Sequence, residues 1–547
     1  FCHQKQFRAL KAGILTDCTG IPKLVEAFQT HAKIAPDRPA LLTDGDTASY
    51  SVLNKLSNQI ARLIVRYTDG KNSPCGLFAG RSLPGFAAIL ASFKSGAFYA
   101  PFPDKDFSNN HQQAFDQLHP ALCLADRHGL ASLTKALTET SRPHVVLLLD
   151  LDQIPTEYSL PERNQVISCR EIAAQLDTSM ARPTAKSSLA YLMFTSGSSG
   201  KPKGVPVTHA NLESYLEAFM ACYPILPDDR CSQLFDLTFD LSVHDYAVTW
   251  CSGASLHVPN GGKILTVADM VRDNRITVWF SVPSVISLLH RFGQLGENHF
   301  PSLRLAAFCG ESLPAELAEK FQLAGPKATV LNLYGPSEAT IACTHHIYQT
   351  TDGDQVPIGG PFGGQQAIIL DQADIEVPPG TVGELCLSGP QIIAGYWKNE
   401  METARHFFDH ARDGHGLQKF YRTGDLACFD TKLGLMFHGR KDDQIKLRGY
   451  RIELGAVDAV LRKATGKQVL TIPWPVDAHG YPSGLVAYCE GLVDGKRDLL
   501  KKCANLLPGY MLPRSIHSIV SLPLNANGKL DRKALLKLHQ KKSDTIG

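Results

Sequence analysis

The chain has 547 residues, which is more than one compact core usually supports. Of these residues 44% are hydrophobic and 20% are charged, the composition of a globular protein. Its formal net charge of +2 gives no electrostatic reason to expect a nucleic acid as a partner. No apolar run approaches the ~20 residues of a membrane span, and the 14 cysteines include no C-x-x-C pair, so we expect no membrane contact, reduced thiols and a cytoplasmic location.

Short apolar strands alternate with amphipathic helices along most of the chain, a pattern typical of an α/β fold. Apolar residues recur at helical spacing over residues 51–63, and a similar stripe begins at His209. The segments that read as strands are residues 190–194, 278–281, 328–332 and several β-rich stretches over residues 367–388.

A charged, turn-prone segment at residues 439–443 separates this pattern from a fresh α/β pattern that follows it. We therefore predict a large, multi-sheet N-terminal domain over residues 1–441 and a small, mobile C-terminal α+β domain over residues 442–547. The polar end of the chain, residues 541–547, predicts a disordered tail.

The strand at residues 190–194 leads into residues 195–204, whose sequence is TSGSSGKPKG. Glycines let backbone N–H groups approach a polyanion, and hydroxyl and ammonium groups add donors. The spacing is not that of a Walker A loop, and a loop of this composition is as often a flexible connector. The preceding strand and the paired lysines favour phosphate binding.

Residues 195–204 resemble the signature of the acyl-adenylate-forming superfamily, which includes nonribosomal peptide adenylation domains, acyl-CoA synthetases and luciferases. The resemblance implies ATP and Mg²⁺ as cofactors. In this loop it implies that the nucleotide contacts are Thr195, Ser196, Gly197, Ser198 and Gly200, with Lys203 as a catalytic phosphate ligand.

Residues 332–340 (NLYGPSEAT) join an aromatic ring, a rigid Gly-Pro turn and a carboxylate, which suits base stacking and metal binding. Alone, the same residues also fit a core aromatic and a solvated charge. The resemblance implies that Tyr334 stacks on adenine, Ser337 contacts the α-phosphate, and Glu338 is catalytic and holds Mg²⁺. The further nucleotide contacts that it implies are Gly310, Glu311, Ser312, Asn332, Leu333, Gly335 and Pro336.

Asp425 ends a strand-like run, where a carboxylate can accept both hydroxyl protons of a ribose, although Thr-Gly-Asp alone is more often a turn. The resemblance implies that Asp425 binds the ribose with Arg440 as its partner, and that Asp442 is a hinge. It also makes Lys529 the catalytic lysine of adenylation, where a lysine would otherwise be a surface charge. A small domain that delivers Lys529 and then swings away serves two chemical steps.

Residues 239–245 (FDLSVHD) resemble the segment whose Asp binds the substrate ammonium in members that activate amino acids. A buried carboxylate is costly unless it meets a cation, so Asp240 implies an amino substrate; the alternative is that Asp240 caps the helix beginning at Leu241. The other pocket residues that the resemblance implies are Leu241, His244, Phe280, Ala307, Cys309, Leu333, Ile341 and Ala342. The bulk of Phe280 and Leu333 favours a small amino acid: alanine of either hand, serine, glycine or proline.

Residues 239–245 and 308–314 are especially similar to D-alanine–carrier protein ligases. Because no carrier-like segment follows Lys529, the resemblance implies a freestanding ligase that forms an aminoacyl-AMP and charges the phosphopantetheine thiol of a separate acyl or peptidyl carrier protein. One alternative is an acyl- or aryl-CoA ligase of the same fold, which should lack Asp240. The other alternative is a catalytically degenerate binding protein. The presence of Lys203, Glu338, Asp425 and Lys529 argues against it, because a degenerate member would usually have lost at least one of them.

Overall fold

A computed structural model of the protein describes residues 19–43, 46–69, 71–195, 201–259, 264–412, 416–447, 449–477, 479, 481–492, 496–504, 506–524 and 530–546. Helices and strands alternate through most of these residues, which confirms the predicted α/β class. Within the same residues, no helix combines the length and the apolar character that crossing a bilayer requires.

The helices follow one another along the whole chain. They are α1 (Lys23–Ile34), α2 (Tyr50–Thr68), α3 (Leu83–Ser95), α4 (Asn109–Leu118), α5 (Leu130–Glu139), α6 (Cys169–Ala173), α7 (His209–Cys222), α8 (Leu241–Ser252), α9 (Ile264–Asp273), α10 (Pro283–Arg291), α11 (Ala315–Ala324), α12 (Glu400–His406), α13 (Leu454–Thr465), α14 (Lys496–Ala504) and α15 (Arg532–Ile546). The helices predicted around residues 51–63 and from His209 are therefore confirmed as α2 and α7.

Except for one of 15 residues at positions 416–430, the strands are short, as the apolar runs predict. They are β1 (Thr19–Gly20), β2 (Pro39–Leu42), β3 (Thr47–Ser49), β4 (Pro74–Phe78), β5 (Phe98–Phe102), β6 (Leu122–Ala125), β7 (Val145–Leu148), β8 (Gln165–Ile167), β9 (Thr184–Ala185), β10 (Leu189–Thr195), β11 (Lys203–Thr208), β12 (Arg230–Ser232), β13 (Ser255–His257), β14 (Val278–Ser281), β15 (Leu305–Phe308), β16 (Thr329–Tyr334), β17 (Thr344–Ile347), β18 (Gly360–Pro361), β19 (Gln366–Leu370), β20 (Gly383–Ser388), β21 (Phe407–Arg412), β22 (Gly416–Asp430), β23 (Gly434–Arg440), β24 (Gln444–Leu447), β25 (Tyr450–Glu453), β26 (Val469–Pro473), β27 (Leu485–Glu490) and β28 (Ser515–Ile519). The predicted strands correspond to β10, β14, β16, β19 and β20.

Two large sheets organise the first part of the chain. One has the order β11-β10-β5-β4-β6-β7-β8, and the other has the order β18-β17-β16-β15-β14-β12-β13-β2-β3. In the second sheet β14, β15 and β16 are parallel, with Phe280 paired to Ala307 and Ala307 paired to Leu331. The carboxyl ends of such strands meet at one edge of the sheet, where α/β proteins bind their ligands.

The main core lies where the helices α1, α2, α3 and α8 pack against both sheets. The Trp250 ring of α8 meets Phe28 of α1 and Phe86 of α3 at centroid distances of 5.7 and 5.8 Å. The Tyr50 hydroxyl, which is also buried, donates to the Ala254 carbonyl over 2.7 Å. These contacts hold the carboxyl-terminal turn of α8 in the core against α1 and α3.

A third sheet, ordered β19-β20-β22-β21 with β23 paired to β22, leads to a smaller C-terminal part. Two separate core clusters of that part draw only on residues between 445 and 536, among them Val457, Leu485 and Leu535. A large N-terminal domain with a smaller C-terminal part is thus confirmed, while the boundary at 441/442 stays a prediction. The predicted disordered tail is wrong for residues 541–546, which continue α15.

Candidate functional site

A cavity of about 420 Å³ opens at the carboxyl ends of β14, β15 and β16 and is covered by the β24–β25 hairpin of the smaller part. Many of the predicted site residues line it: Thr195, Asp240, Leu241, Gly310, Gly335, Pro336, Ser337, Asp425 and Arg440. The predicted contacts that lie outside the described residues are Ser196, Gly197, Ser198, Gly200 and Lys529. The sequence motifs, far apart in the chain, therefore converge on one cleft.

Asp240 lies at the inner end of this cavity, where only 8% of the residue is exposed. Its Oδ2 atom has no hydrogen-bond partner among the described residues, and although Asp240 precedes α8, its side chain makes no capping bond. Burial raises its pKa to about 6, against the opposing effects of the Ser337 hydroxyl and the Lys446 ammonium. A carboxylate in such a place is stabilised by a cationic ligand.

The predicted side-chain pocket behind Asp240 is almost closed. Its eight residues are each 6% exposed or less, and Leu241 is the member that lines the cavity in the described part of the chain. A Cβ atom placed on Gly310 would lie 3.4 Å from Leu241 Cδ1. Leu241 and the backbone of Gly310 therefore form one stretch of the cavity wall.

His244 fills the space behind that wall. Its ring centroid lies 4.2 Å from that of Phe280, and its Nδ1 atom is 2.6 Å from the Tyr215 hydroxyl. Burial lowers the pKa of His244 to about 3, so the ring is neutral at physiological pH. The other members of the set (Ala307, Cys309, Leu333, Ile341 and Ala342) are buried around these rings.

Asp425 joins two of the predicted nucleotide residues. Its Oδ2 accepts the Tyr334 hydroxyl over 2.5 Å, and its Oδ1 lies 2.5 Å from Arg440 Nη1. Arg440 also holds the predicted hinge residue Asp442 over 2.7 and 2.8 Å. Burial raises the pKa of Asp442, but the hydrogen bond and charge of Arg440 outweigh burial and lower it overall. The carboxyl group of Asp425, beside the guanidinium of Arg440, offers acceptor oxygens of the kind that ribose hydroxyls need.

Glu338 is fully buried and bonded on both oxygens. Oε1 accepts the Tyr396 hydroxyl over 2.7 Å, and Oε2 accepts Arg451 Nη1 of β25 over 3.0 Å. Burial raises its pKa, but Arg451, Lys203 and Tyr396 together lower it to about 2. Glu338 is therefore an ionised carboxylate at any physiological pH.

An ionised carboxylate of this kind fits a Mg²⁺ ligand. Among the described residues no three His, Cys, Asp or Glu side chains form a metal cluster. A single protein carboxylate is the arrangement in which Mg²⁺ takes its other ligands from water and nucleotide phosphates. Because Arg451 is paired with Glu338 Oε2, a metal ion there would have to compete with the positive charge of this guanidinium.

Lys203, at the start of β11, is buried and paired. Its Nζ atom lies 3.6 Å from Glu402 Oε2 and 5.1 Å from the centroid of the Tyr396 ring. Thr195 at the end of β10 lies opposite Lys203 in the antiparallel pair. The strand pair thus presents the predicted phosphate residues on either side of the loop between them.

The β24–β25 hairpin forms the outer wall of the cavity. Glu311 fastens it, since Oε1 accepts Gly449 N over 2.9 Å while Oε2 accepts Ser284 N over 2.9 Å. The Tyr450 ring meets Phe239 at a centroid distance of 4.5 Å. Glu311, predicted beside the adenine, is thus a bridge between the two parts of the chain.

The two remaining predicted nucleotide residues form contacts within the protein. Ser312 Oγ donates to Gln355 Oε1 over 2.8 Å. Asn332 Nδ2 donates to the carbonyls of Val356 and Pro357 over 3.1 and 2.9 Å. Their nucleotide roles stay predictions.

Sequence reasoning assigned no role to three residues of this network: Tyr396, Glu402 and Arg451. Arg451 lies nine residues after the predicted hinge Asp442, but its partner Glu338 stands 113 positions before it in the sequence. No spacing rule links residues so far apart.

Comparison with known proteins identifies the family of this chain. The family model described as "AMP-binding enzyme" matches residues 28–397. Novobiocin biosynthesis protein H of Streptomyces niveus is 31% identical over 94% of this chain and 82% of its own, and zwittermicin A synthase ZmaJ of Bacillus cereus is 31% identical over 93% of each. The Vibrio cholerae adenylation domain AlmE, solved in complex with glycyl-adenosine-5'-phosphate, superposes with a TM-score of 0.84 at 29% identity, over 97% of this chain and 100% of that one. This chain belongs to the AMP-binding enzymes, the ATP-using adenylate-forming ligases that include the adenylation domains of nonribosomal peptide synthesis.

Proposed function

We propose that the protein converts a small amino acid and ATP into an aminoacyl-AMP and pyrophosphate, and then passes the aminoacyl group to the phosphopantetheine thiol of a carrier protein. The observation that supports an amino acid as the substrate is the environment of Asp240. This carboxylate is buried, its Oδ2 has no hydrogen-bond partner among the described residues, and it lines the cavity. An ammonium group is the complement that such a carboxylate requires. We place the reaction in the cytoplasm, where ATP is available.

In the first step the substrate carboxylate attacks the α-phosphorus of ATP, a P–O bond forms, and pyrophosphate leaves. Asp425 and Arg440 hold the ribose, and Lys203 and Thr195 receive the phosphates. Glu338 holds Mg²⁺, which neutralises charge on the phosphates when it is bound. Lys529 delivers an ammonium to the reacting centre. Such a reaction needs positioning and charge neutralisation more than covalent help from the protein.

In the second step the thiol attacks the acyl carbon, a C–S bond forms, and AMP leaves with the electrons of the C–O bond. The β24–β25 hairpin, whose Gly449 is held by Glu311, lines the cavity, and in this proposal the arm enters along its face. In this proposal the smaller part turns about Asp442 between the steps.

The closed pocket behind Leu241 supports a substrate with little or no side chain. Glycine and alanine have the smallest side chains of the candidates, so a cavity wall that includes Leu241 and Gly310 favours them over serine or proline. AlmE, whose structure contains a glycyl adenylate, is consistent with this size class.

ATP–pyrophosphate exchange, measured with each of the twenty amino acids and D-alanine, tests the proposal. We expect exchange with glycine or alanine and none with fatty or aryl acids. Exchange with fatty or aryl acids alone would establish the CoA-ligase alternative. The absence of exchange with every acid tested would establish the alternative of a catalytically degenerate binding protein. Lys529→Ala should abolish exchange yet retain transfer from pre-formed aminoacyl-AMP to a carrier thiol.

A further inference from the structure

Two consecutive β-branched residues behind the cavity have a left-handed backbone. Thr340 has a φ of 53° and Ile341 a φ of 70°, a region that L residues with branched side chains rarely adopt. They follow Glu338 after one intervening residue, Ala339, and Ile341 belongs to the predicted pocket wall. Strain of this kind persists only where surrounding contacts impose it, and it is concentrated at functional sites.

Gln391 supplies those contacts. Its side-chain Nε2 donates to the carbonyls of Ala339, Thr340 and Ala342 over 3.3, 3.4 and 2.7 Å. Its backbone carbonyl accepts the Thr340 hydroxyl over 2.6 Å. Gln391 is fully buried and does not line the cavity. A single amide thus holds the turn over residues 339–342 at several points.

The segment that carries Gln391 is itself anchored and also reaches Glu338. Asn211 Nδ2, at the start of α7, donates to the carbonyls of Pro390 and Ile392 over 2.7 and 3.3 Å. Ile393 N, two residues after Gln391, donates to the Glu338 carbonyl over 3.0 Å. Residues 390–393 therefore form a rigid brace against the turn.

The turn in its strained form is close to the cavity. A Cβ atom on Gly335 would lie 2.6 Å from Ala342 Cα and 2.9 Å from the Ile341 carbonyl oxygen, so the turn packs directly against the backbone of Gly335, which lines the cavity. If the turn relaxed to negative φ, the backbone on both sides of it would move, and with it Glu338 and the pocket wall.

We propose that Gln391 is a positioning residue: it holds the strained turn Thr340–Ile341 and thereby fixes Glu338 and the end of the substrate pocket without touching either substrate. The inference rests on the proposed function for its activity readout. Its structural readout is independent of which acid is activated.

The test is Gln391→Met, which keeps the approximate volume and removes every donor. Gln365→Met is the matched control, because Gln365 is also buried, lies beside the neighbouring Gly389, and has no side-chain hydrogen bond among the described residues. We expect kcat/KM for exchange to fall about 100-fold in Gln391→Met, the size that a displacement near 1 Å produces, with a higher Mg²⁺ requirement. Gln365→Met should stay within about twofold.

Thr340→Gly in the Gln391→Met background supplies the rescue. Glycine adopts positive φ without strain, so it should restore part of the lost activity, which a purely structural role of Gln391 would not explain. Equal kinetics in the two Met variants, or no rescue by glycine, would overturn the proposal. A crystal structure of Gln391→Met should show the turn relaxed and Glu338 displaced; an unchanged turn would refute the inference even if no amino acid supports exchange.

Discussion

Arg451 of the smaller part and Glu338 of the larger part form an ion pair with an N–O distance of 3.0 Å at the centre of the site. The pair connects β25 to the turn after β16, and it uses the carboxylate that the family resemblance assigns to Mg²⁺. The positive charge of the guanidinium, so close to Glu338, opposes the binding of a metal ion to the same carboxylate. The position of the smaller part and the binding of Mg²⁺ are therefore expected to be coupled.

The first prediction concerns this competition. In Arg451→Gln the guanidinium no longer opposes Mg²⁺, so the Mg²⁺ concentration that gives half-maximal exchange should fall by about threefold to tenfold, as expected for the loss of ~1 kcal/mol of competing interaction. Transfer to the thiol should slow, because the hairpin loses an anchor. Titrating Mg²⁺ in the exchange assay measures the effect.

Lys441→Gln is the control, since it removes a cation paired to Glu384 over 2.8 Å, away from Glu338. An unchanged Mg²⁺ requirement in Arg451→Gln would show that the pair does not compete with the metal.

The second prediction follows from the buried carboxylate of Asp240. Burial raises its folded pKa to about 6 from an ordinary value near 3.8, so the folded protein binds the proton more tightly than the unfolded chain. The free energy of unfolding should therefore fall as the pH rises from about 4 to 6 and then level off. At ~1.4 kcal/mol per pKa unit the loss is about 2–3 kcal/mol.

Asp240→Asn cannot ionise, so it should be more stable than the wild type by about that amount at pH 8 and similar to it at pH 4. The same variant should raise KM for the amino acid about 100-fold, as the loss of one partner of a buried charge pair does. Denaturant unfolding at both pH values and exchange kinetics measure these effects. Asp177→Asn, at an exposed site paired to Lys55, should change neither, and a wild-type stability that does not depend on pH in this range would contradict the assignment.

The sequence was sufficient for the elements and for the cavity, but not for the network within it. Alternating apolar runs predicted β10, β14 and β16, and the motifs at Asp240 and Asp425 met where the parallel strands end. The contacts of Arg451 and Gln391 escaped prediction because their partners lie 113 and about 50 positions away. A linear pattern contains no information on such pairings; only the fold creates them.

The residue that limits the size of the pocket could not be predicted from the sequence either. Sequence reasoning gave weight to the bulk of Phe280 and Leu333, yet both are buried and Leu241 forms the wall that faces the cavity. The sequence gives the volume of each residue. It does not tell which of several bulky residues faces the ligand, because that depends on how α8 packs against β14 and β15.

The third prediction concerns Leu241. In Leu241→Ala the cavity should deepen toward His244, so that a larger apolar amino acid such as valine gains on glycine in kcat/KM by at least about tenfold, the usual value of a methylene group in such a pocket. Exchange assays with glycine, alanine and valine give the ratio. Val243→Ala, a neighbour on α8 that is fully buried and does not line the cavity, should lose stability without any change of preference. The same preference in both variants would show that Leu241 does not set the size limit.

The fourth prediction concerns a second contact between the two parts of the chain. The Tyr481 hydroxyl donates to the Ser312 carbonyl over 2.5 Å, and Asp477 Oδ2 accepts the Ser287 hydroxyl over 2.7 Å. Both contacts hold the smaller part where its β24–β25 hairpin faces the cavity.

If that arrangement serves thiol transfer, Tyr481→Phe should slow transfer about fivefold, the effect of one lost hydrogen bond of ~1 kcal/mol, and leave exchange unchanged. Separate assays of exchange and of thioester formation on a carrier protein distinguish the two steps, with Tyr158→Phe as a distant control. An equal loss in both assays would mean that the contact supports folding alone, because a contact that is present in only one arrangement of the parts affects only the step which that arrangement serves.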